Sequence, residues 1–233
     1  MISAMPEPAL IQIQELYKTF VRGEAEIHVL EDLSLEIRRG EFVALMGASG
    51  SGKTTLLNLI GALDGADGGK IIIDGLETTG LDGDSLADWR AHTVGFIFQL
   101  YNLLPVLRAV ENVELPLALF GLSRRERRGR ALMALDLVGL SDRADHYPGE
   151  LSGGQEQCVA IARALVTDPV FLLADEPTGD LDPNSAADIL DLLKRLHLEL
   201  GKTILMVTHS REAAARADRI IHIESGQVAV GEV

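Results

Sequence analysis

The chain has 233 residues, 47% of them hydrophobic, and a formal net charge of −14. This length fits one large domain or a domain with an added lobe, and the hydrophobic share excludes a disordered or fibrous protein. The negative charge argues against a protein that binds nucleic acid through its phosphates, because the field of the whole molecule repels a polyanion.

In chain order, residues 1–10 come first, and they lack the basic start and apolar run of a secretory signal. The only cysteine, Cys158, permits no internal disulfide, which is typical of a reducing compartment. Charges and prolines interrupt the most apolar stretch, residues 103–122, whereas a membrane-spanning helix needs about 20 nearly uncharged apolar residues. We therefore expect a chain that is soluble by itself and that can dock on a membrane partner.

Three short apolar runs lack polar alternation, which predicts strands buried on both faces, as in a parallel sheet covered by helices. The runs are Phe42–Met46, Val170–Ala174 and Thr203–Val207. Each run ends at a glycine loop or at reactive side chains, and ligands of open α/β sheets bind beyond the carboxyl ends of the strands. The sequence therefore predicts one site where the three strands end.

The remaining segments predict two additions to this α/β core. Residues 69–75 lie between glycines and residues 220–230 flank a turn at Ser225 and Gly226, a pattern typical of antiparallel strands. Residues 99–165 are rich in helix formers and predict an inserted α-helical lobe. The predicted organisation is a single domain, residues 1–233, with an antiparallel β subdomain and a mainly parallel core in residues 1–98 and 166–233.

The glycine loop after the first strand reads G-A-S-G-S-G-K-T-T, and an apolar helical pattern follows it. Such glycines let backbone N–H groups surround phosphates at a helix N-terminus. Lys53 is placed to contact the outer phosphates and Thr54 to bind Mg²⁺, so the loop predicts a nucleoside triphosphate site. The predicted phosphate-binding residues are Gly47, Ala48, Ser49, Gly50, Ser51, Gly52, Lys53, Thr54 and Thr55.

The ends of the other two strands supply candidate catalytic groups. Asp175 is suited to hold hydrated Mg²⁺, and Glu176 is suited to polarise a water for attack on the γ-phosphate. Adjacent strand residues point to opposite faces, which would separate the two roles. The neutral imidazole of His209 can hydrogen-bond the γ-phosphate and orient the water. The alternatives are a pair of solvated acids and a structural histidine.

A second glycine loop, L-S-G-G-Q at residues 151–155, also precedes apolar residues at helical spacing. Its exposed N–H groups at a helix N-terminus form a second candidate anion site. One chain cannot easily aim both loops at a single γ-phosphate if this loop belongs to the helical lobe. We therefore predict a dimer in which each second loop closes on the partner's ATP. The residues concerned are Ser152, Gly153, Gly154 and Gln155.

Together these motifs resemble the ATP-binding subunit of ABC transporters, nearly from end to end. The matching pieces are Gly47–Thr55, Phe96–Gln99, Leu151–Gln155, Phe171–Glu176, Gly179–Asp182 and His209. The resemblance implies a RecA-like P-loop NTPase core and ATP hydrolysis with Mg²⁺. It also implies that Gln99 senses the γ-phosphate, contacts Mg²⁺ and links to the lobe. Phe20 stands where the family usually has a Tyr that stacks on adenine, and it keeps the stacking face.

The closer likeness is to lipoprotein-release, macrolide-export and cell-division ATPases, through residues 93–105, 110–116 and 174–179. It implies a dimer, of identical or like cassettes, beneath an integral-membrane permease. The location implied is peripheral, at the cytoplasmic face of the inner membrane, and many such proteins act on substrate outside that membrane. The alternative is an ATP-gated signalling or cell-division module with little turnover. The sequence lacks the Asn-Lys-x-Asp motif that binds guanine in GTPases, which argues against a GTPase. It also lacks the long coiled-coil insertion of chromosomal ATPases, which argues against that class.

Two residues depart from the family pattern. Cys158 stands where an Arg is usual, which either loosens the packing of the signature helix or is tolerated there. Asp180 replaces the usual Ala or Asn and adds negative charge at the dimer seam. The arginine-rich residues 123–130 are most simply a solvated helix face opened by a capping box of Ser123 and Glu126. We expect residues 103–122 to form lobe core and part of a groove for the permease.

Overall fold

The computed structural model describes residues 9–23 and 25–229, which form two sheets and a group of helices. The strands are β1 (Ile11–Arg22), β2 (Ala25–Ile37), β3 (Phe42–Met46), β4 (Gly68–Ile73), β5 (Leu76–Glu77), β6 (Val94–Phe98), β7 (Phe171–Asp175), β8 (Thr203–Val207), β9 (Arg219–Glu224) and β10 (Gln227–Val228). The helices are α1 (Lys53–Ile60), α2 (Gly83–Thr93), α3 (Ala109–Glu114), α4 (Arg124–Leu137), α5 (Gly153–Leu165), α6 (Pro183–Leu200) and α7 (Arg211–Ala214), with 3₁₀ turns at Leu115–Leu119, Ser141–Arg143 and Pro148–Glu150.

The larger sheet has six strands in the order β10-β9-β3-β8-β7-β6. Strand β3 pairs in parallel with β8 and β9, and β7 pairs in parallel with β6 and β8. In β3, Phe42 and Ala44 join the apolar cluster shared with α3 to α6, whereas Val43 and Leu45 join the cluster beneath the second sheet. Because both faces are buried, the strand shows a continuous apolar run, and the predicted parallel core is confirmed.

The second sheet is antiparallel, in the order β2-β1-β4-β5. The predicted strand at residues 69–75 is β4, which pairs with β1. The hairpin predicted at residues 220–230 exists as β9 and β10, although Val230 lies outside the described residues. Its grouping with the antiparallel segments was wrong for β9, because β9 also pairs in parallel with β3 and belongs to the central sheet.

Residues 99–165 contain α3, α4, α5 and the three 3₁₀ turns. Within the stretch 103–122, Val110, Val113 and Leu117 are fully buried, whereas Val106 and Leu119 are 78% and 73% exposed. The expected core role therefore holds for only part of that stretch. The division into a core of residues 1–98 and 166–233 with an inserted lobe stays a proposal.

Helix α4 begins at the predicted capping box, in which the Ser123 hydroxyl accepts from the Glu126 N–H and the Glu126 carboxylate accepts from the Ser123 N–H. None of the helices in residues 9–23 and 25–229 is both long and apolar enough to cross a membrane. The absence of a secretory signal was predicted from residues 1–10, most of which lie outside the described part.

Candidate active site

The first glycine loop joins β3 to α1 and has a backbone that only glycine adopts easily. Gly47 has a φ of +155°, and a Cβ there would lie 2.1 Å from the Ile223 carbonyl oxygen. Gly52, the residue before α1, has a φ of +101°, and a Cβ there would lie 2.8 Å from the Val29 carbonyl oxygen. The loop is therefore held in shape by neighbouring backbone, and the glycines are required by close approach as well as by dihedral angle.

The ammonium group of Lys53 lies inside this loop, and the residue is only 8% exposed. It donates to the carbonyl oxygens of Gly47 and Ala48 at 3.0 and 2.8 Å, and it lies 3.4 Å from the Ser51 hydroxyl. These contacts hold a positive charge against two backbone carbonyls and a hydroxyl of the loop. Such a charge at a helix N-terminus is suited to bind a phosphate.

Thr54 and Asp175 connect the helix after the loop to the end of β7. The Thr54 hydroxyl donates to Oδ1 of Asp175 at 3.2 Å. Burial raises the pKa of Asp175, and the negative charge of Glu176 adds to the rise, while the Thr54 hydrogen bond and the charge of Lys53 oppose it. A carboxylate in this position gains from a nearby cation.

A hydroxyl and a carboxylate are ligands that suit Mg²⁺, which takes its other ligands from water and phosphate. Within residues 9–23 and 25–229 no group of three or more His, Cys, Asp or Glu side chains is arranged to hold a metal ion. The two oxygens of Thr54 and Asp175 therefore fit a cation that arrives with a phosphate ligand.

Glu176 and His209 form a pair beyond the ends of β7 and β8. The Nδ1 of His209 lies 2.9 Å from Oε1 of Glu176, and the His209 N–H donates to Oε2 at 3.4 Å. Glu176 has a φ of +46°, and its N–H donates to the Val207 carbonyl oxygen at 2.9 Å. Strand β7 ends at Asp175 and Glu176 has a left-handed backbone, so the strand alternation from which the two separate roles were predicted does not extend to Glu176.

His209 is 74% exposed at the side chain and Glu176 19%. The predicted contact of His209 was with a γ-phosphate, whereas its imidazole here contacts the Glu176 carboxylate. A histidine in this place orients a carboxylate that is suited to accept a proton from water. The exposed face of the ring stays open to a ligand.

Gln99 follows β6 directly, and its predecessor Phe98 pairs with Asp175 across the parallel ladder. The Gln99 Nε2 donates to Oδ1 of Asp180 at 3.2 Å. A Cβ on Gly179 would lie 2.9 Å from that same Nε2, so the turn is packed against the amide. The structure thus brings Gln99 beside the strand end that carries Asp175, and Asp180 has a contact that the sequence did not predict.

Phe20 lies on β1 at the rim of a concave space of about 450 Å³ beside the first glycine loop. The residue is 41% exposed, and the Lys18 ammonium lies 4.9 Å from the ring centroid. Ile27 and Val29 on β2 line the same space, and Ile27 pairs with Phe20 across the hairpin. The sequence reasoning missed these two residues, which recognition of the β1–β2 pairing would have found.

The second glycine loop forms the N-terminus of α5. The Ser152 hydroxyl accepts from the Gln155 N–H at 3.3 Å, and the Gln155 side chain accepts from the Ser152 N–H at 3.0 Å. A Cβ on Gly153 would lie 2.9 Å from the Tyr101 hydroxyl. None of the loop residues 152–155 lines the described space beside the first loop.

Cys158 lies one turn and a half into α5, partly buried against the apolar cluster of the helices. Burial raises the pKa of its thiol to about 11, and the negative charge of Asp188 adds to the rise. The group is therefore a neutral thiol near pH 7. Its role in the structure is that of a small packing residue.

The chain is similar in sequence to members of one protein family, and the individual relatives match about 94% of its length. The profile of the ABC transporter family matches residues 30–179. The macrolide export ATP-binding/permease protein MacB of Brucella melitensis is 49% identical over 219 residues, covering 94% of this chain and 34% of that protein. The ABC transporter ATP-binding protein MJ0796 of Methanocaldococcus jannaschii is 48% identical over 223 residues, covering 94% and 95%. The chain spans 34% of the length of the macrolide-export relatives it matches.

Solved structures of cassettes are similar over the same extent. A dimeric post-hydrolysis state of the ATP-binding cassette MJ0796, bound to ADP and Pi, has a TM-score of 0.87 at 46% identity, covering 95% of this chain and 97% of that chain. A second dimeric structure of MJ0796 has a TM-score of 0.86 at 47% identity, covering 94% and 96%. The predicted P-loop NTPase fold is confirmed.

Proposed function

Because this chain belongs to the ABC transporter family of ATP-binding cassettes, we propose that it binds ATP with Mg²⁺ and hydrolyses the bond between the β- and γ-phosphates to give ADP and phosphate. One observation carries the proposal above all others. The neighbouring parallel strands β3, β8 and β7 end together at the glycine loop, at His209 and at the Asp175–Glu176 pair. A phosphate cradle, a metal-binding carboxylate and a candidate base at one sheet edge match the parts that phosphoryl transfer to water requires.

The proposed roles follow from the contacts of each side chain. Lys53 releases its bonds to the loop carbonyls as it binds the β- and γ-phosphates. Thr54 and Asp175 hold Mg²⁺, which when bound neutralises charge on the phosphate oxygens. Glu176 accepts a proton from the attacking water, and His209 holds its carboxylate in place. Gln99 contributes an amide oxygen beside the metal.

The adenine is proposed to stack on Phe20 in the space next to the loop. The ring is exposed on this side, and Ile27 and Val29 add apolar surface beneath it. An aromatic ring with apolar neighbours binds a flat base without reading its hydrogen-bonding edge. Replacement of the family's Tyr by Phe therefore removes no stacking surface.

We propose that two copies, or this chain and a like cassette, close around two ATP molecules. The two cassette structures of MJ0796 are dimeric, and one of them has ADP and Pi bound. In this chain the second loop begins α5, and none of its residues lines the space beside the first loop. The capping box uses the N–H groups of Ser152 and Gln155, which leaves those of Gly153 and Gly154 for another subunit's ligand. Each chain would then contribute its first loop to one ATP and its second loop to the other.

The partner in the membrane is proposed to be a separate permease, with the cassette bound at its cytoplasmic face. A mainly apolar groove of about 440 Å³ lies between α2, β6 and the segment before α4. Its apolar lining includes Leu63, Ala87, Ala91, Phe96, Pro116 and Leu119, and Arg90, Asn102, Arg163 and Thr167 line it as well. The macrolide-export relatives are named as ATP-binding/permease proteins, which supports a role in export for a chain that matches their ATP-binding part.

The docking proposal is tested with Leu119→Asp, since that side chain is 73% exposed at the groove. Leu198→Asp is the matched control, because Leu198 on α6 is 67% exposed and is not a groove residue. We expect Leu119→Asp alone to abolish stimulation of ATPase activity by the permease, while basal hydrolysis stays unchanged for both. Equal stimulation of both variants would exclude this groove.

The shared-site proposal is tested with Glu176→Gln, which keeps the size of the side chain and removes the base. We expect hydrolysis to fall by about 10²- to 10⁴-fold and the protein to convert from monomer to dimer on addition of ATP and Mg²⁺. Mass in solution, with and without nucleotide, gives the answer. A variant that binds ATP and stays monomeric at all concentrations would contradict the shared site.

A further inference from the structure

Gln157 is a buried amide that no part of the proposed mechanism uses. It lies on α5, five residues after Ser152, and it is 0% exposed. Its Nε2 donates to the carbonyl oxygen of Phe98 at 3.2 Å and to that of Pro177 at 2.6 Å. Both hydrogens of the amide nitrogen are thus directed at backbone of two different segments.

The two acceptors lie next to the residues proposed to act on the γ-phosphate. Phe98 precedes Gln99, and Pro177 follows Glu176. The parallel ladder of β6 and β7 ends at the pair of Phe98 and Asp175, so no backbone pairing holds the two segments together beyond it. The amide of Gln157 bridges them at the point where the ladder stops.

The other end of the same amide has no partner of its own. Oε1 of Gln157 is the only fully buried side-chain N or O atom in the described residues that lacks a hydrogen-bond partner. A buried acceptor without a partner opposes folding, so this position is costly for an amide. An apolar side chain of similar length would avoid that cost, but it would remove the bridge and take a donor away from the carbonyl oxygens of Phe98 and Pro177.

We propose that Gln157 is a positioning residue, which fixes Gln99 and Glu176 relative to α5. The inference depends on the proposed function, because it assigns those two residues to hydrolysis. Helix α5 carries the second glycine loop at its N-terminus, and in the shared-site dimer that loop contacts the partner's ATP. Gln157 then transmits closure on the partner's nucleotide to the water-activating residues of its own site.

The test compares Gln157→Met with Asn112→Leu. Met has nearly the same length and removes both donors. Asn112 is the matched control, because it is also a 0% exposed amide among the helices, and its Nδ2 donates to the carbonyls of Leu104, Leu107 and Arg108. Steady-state ATPase kinetics, ATP affinity and the folded fraction are measured for each protein.

A misplacement of about 1 Å can cost about 100-fold in rate, so we expect kcat of Gln157→Met to fall at least about tenfold. The KM for ATP should stay within about twofold, and the Hill coefficient should fall towards about 1, because the two sites lose their link. Asn112→Leu should lose stability and keep wild-type kcat per folded molecule. This split between kcat and KM separates positioning from a purely structural role.

If Gln157→Met fails to fold, Gln157→Asn replaces it, since the shorter amide keeps its donors and cannot reach both carbonyls. Wild-type kcat and cooperativity in the folded variant would overturn the positioning role while leaving the proposed function intact. A wild type that binds no ATP, or that shows no turnover with its permease, would overturn the proposed function and this inference with it.

Discussion

Both glycine loops of this chain place backbone N–H groups at a helix N-terminus, but they differ in how far the chain itself builds the anion site. In the first, Gly47 and Gly52 have positive φ values and lie against neighbouring backbone, and Lys53 fills the centre with its charge. In the second, the backbone is an ordinary helix start, and Ser152 and Gln155 satisfy each other's N–H groups through a capping box. The first is a closed cradle and the second is a capped helix end.

Because of this difference, we expect the first loop to bind phosphate by itself and the second to need a ligand held by another molecule. A cradle that neighbouring strands hold in shape is able to bind phosphate by itself, because the cost of ordering it is met during folding. A capped helix end offers its remaining N–H groups and its dipole to an anion brought by another molecule. The glycines of the second loop therefore allow other groups to pack close to the backbone, as the Tyr101 hydroxyl does at Gly153.

The strongest test of this contrast exchanges one glycine in each loop for alanine. In Gly47→Ala the new Cβ meets the Ile223 carbonyl oxygen, and the φ of +155° is strained for alanine. We expect ATP binding to be lost and the free energy of unfolding to fall by about 2 kcal/mol or more. In Gly153→Ala the obstacle is the end of a Tyr side chain, which can shift.

Gly153→Ala should therefore bind ATP as the wild type does. In a Glu176→Gln background it should dimerise more weakly on addition of ATP and Mg²⁺, because the second loop contacts the partner's nucleotide. Titration calorimetry and mass in solution separate the two effects. Equal loss of ATP affinity in both variants would show that the loops do not differ in this way.

The next test removes the carboxylate of Asp175, which ends β7 and accepts a hydrogen bond from Thr54 beside the first loop. Asp175→Asn should lower hydrolysis by about 10²-fold or more and raise stability at pH 7. Burial raises the pKa of Asp175 in the folded state, so its contribution to stability is fully present below the unfolded pKa and is lost as pH rises through the folded pKa. The stability gain of Asp175→Asn should therefore be largest near neutral pH and shrink towards about pH 4.

Denaturant unfolding of both proteins between about pH 4 and pH 7 measures this. Mg²⁺ with ATP should reduce the difference, because the wild-type carboxylate then gains its cation. A gain in stability that is the same at all pH values would exclude the carboxylate charge as its cause.

Residues at the ends of β3, β7 and β8 were predictable because a strand buried on both faces leaves an uninterrupted apolar run, and its end is visible in the sequence. The hairpin of β1 and β2 was not predictable in this way. Glu15 has a φ of +47°, and the β1–β2 register shifts on both sides of Leu16, so strict alternation is broken. Ile27 and Val29 were missed with it.

Contacts between distant segments also escaped the sequence reasoning. The orientation of Glu176 depends on a left-handed backbone whose N–H is held by Val207 on a neighbouring strand. The bridge from Gln157 joins α5 to two strand ends that lie 59 and 20 residues away in sequence. The structure shows Gln157 fully buried, whereas the sequence reasoning did not single it out and helical periodicity carries no information on its hydrogen-bond partners.

A smaller effect is expected from the cap of the second loop. Ser152→Ala should lower the free energy of unfolding by about 1 kcal/mol, the usual worth of a side-chain N-cap. Ser123→Ala is the matched control, because Ser123 and Glu126 form the same box at the start of α4. Both variants should lose similar stability, and only Ser152→Ala should weaken ATP-driven dimerisation of the Glu176→Gln protein. Equal dimerisation would restrict Ser152 to a structural role.

The smallest effect is expected at Cys158, which follows Gln157 on the helix of the second loop. Its thiol lies close enough to Asp188 for that carboxylate to raise the thiol pKa, so an Arg in its place gains a partner of opposite charge. We expect Cys158→Arg to raise the unfolding midpoint by about 2 °C, or about 0.5 kcal/mol. In an Asp188→Ala background the same substitution should give no gain, which separates the ion pair from packing.

ATP affinity of the monomer should be unchanged by Cys158→Arg, because the first loop is built on β3 and α1 and not on α5. A gain in ATP-driven dimerisation together with the higher midpoint would mean that the small side chain at Cys158 loosens the second loop and leaves the cradle of the first intact. Identical midpoints and ATPase rates for wild type and Cys158→Arg would mean that α5 tolerates the thiol without loss. The ability of the second loop to contact the partner's ATP would then depend on Ser152, Gly153 and Gln155 and not on Cys158.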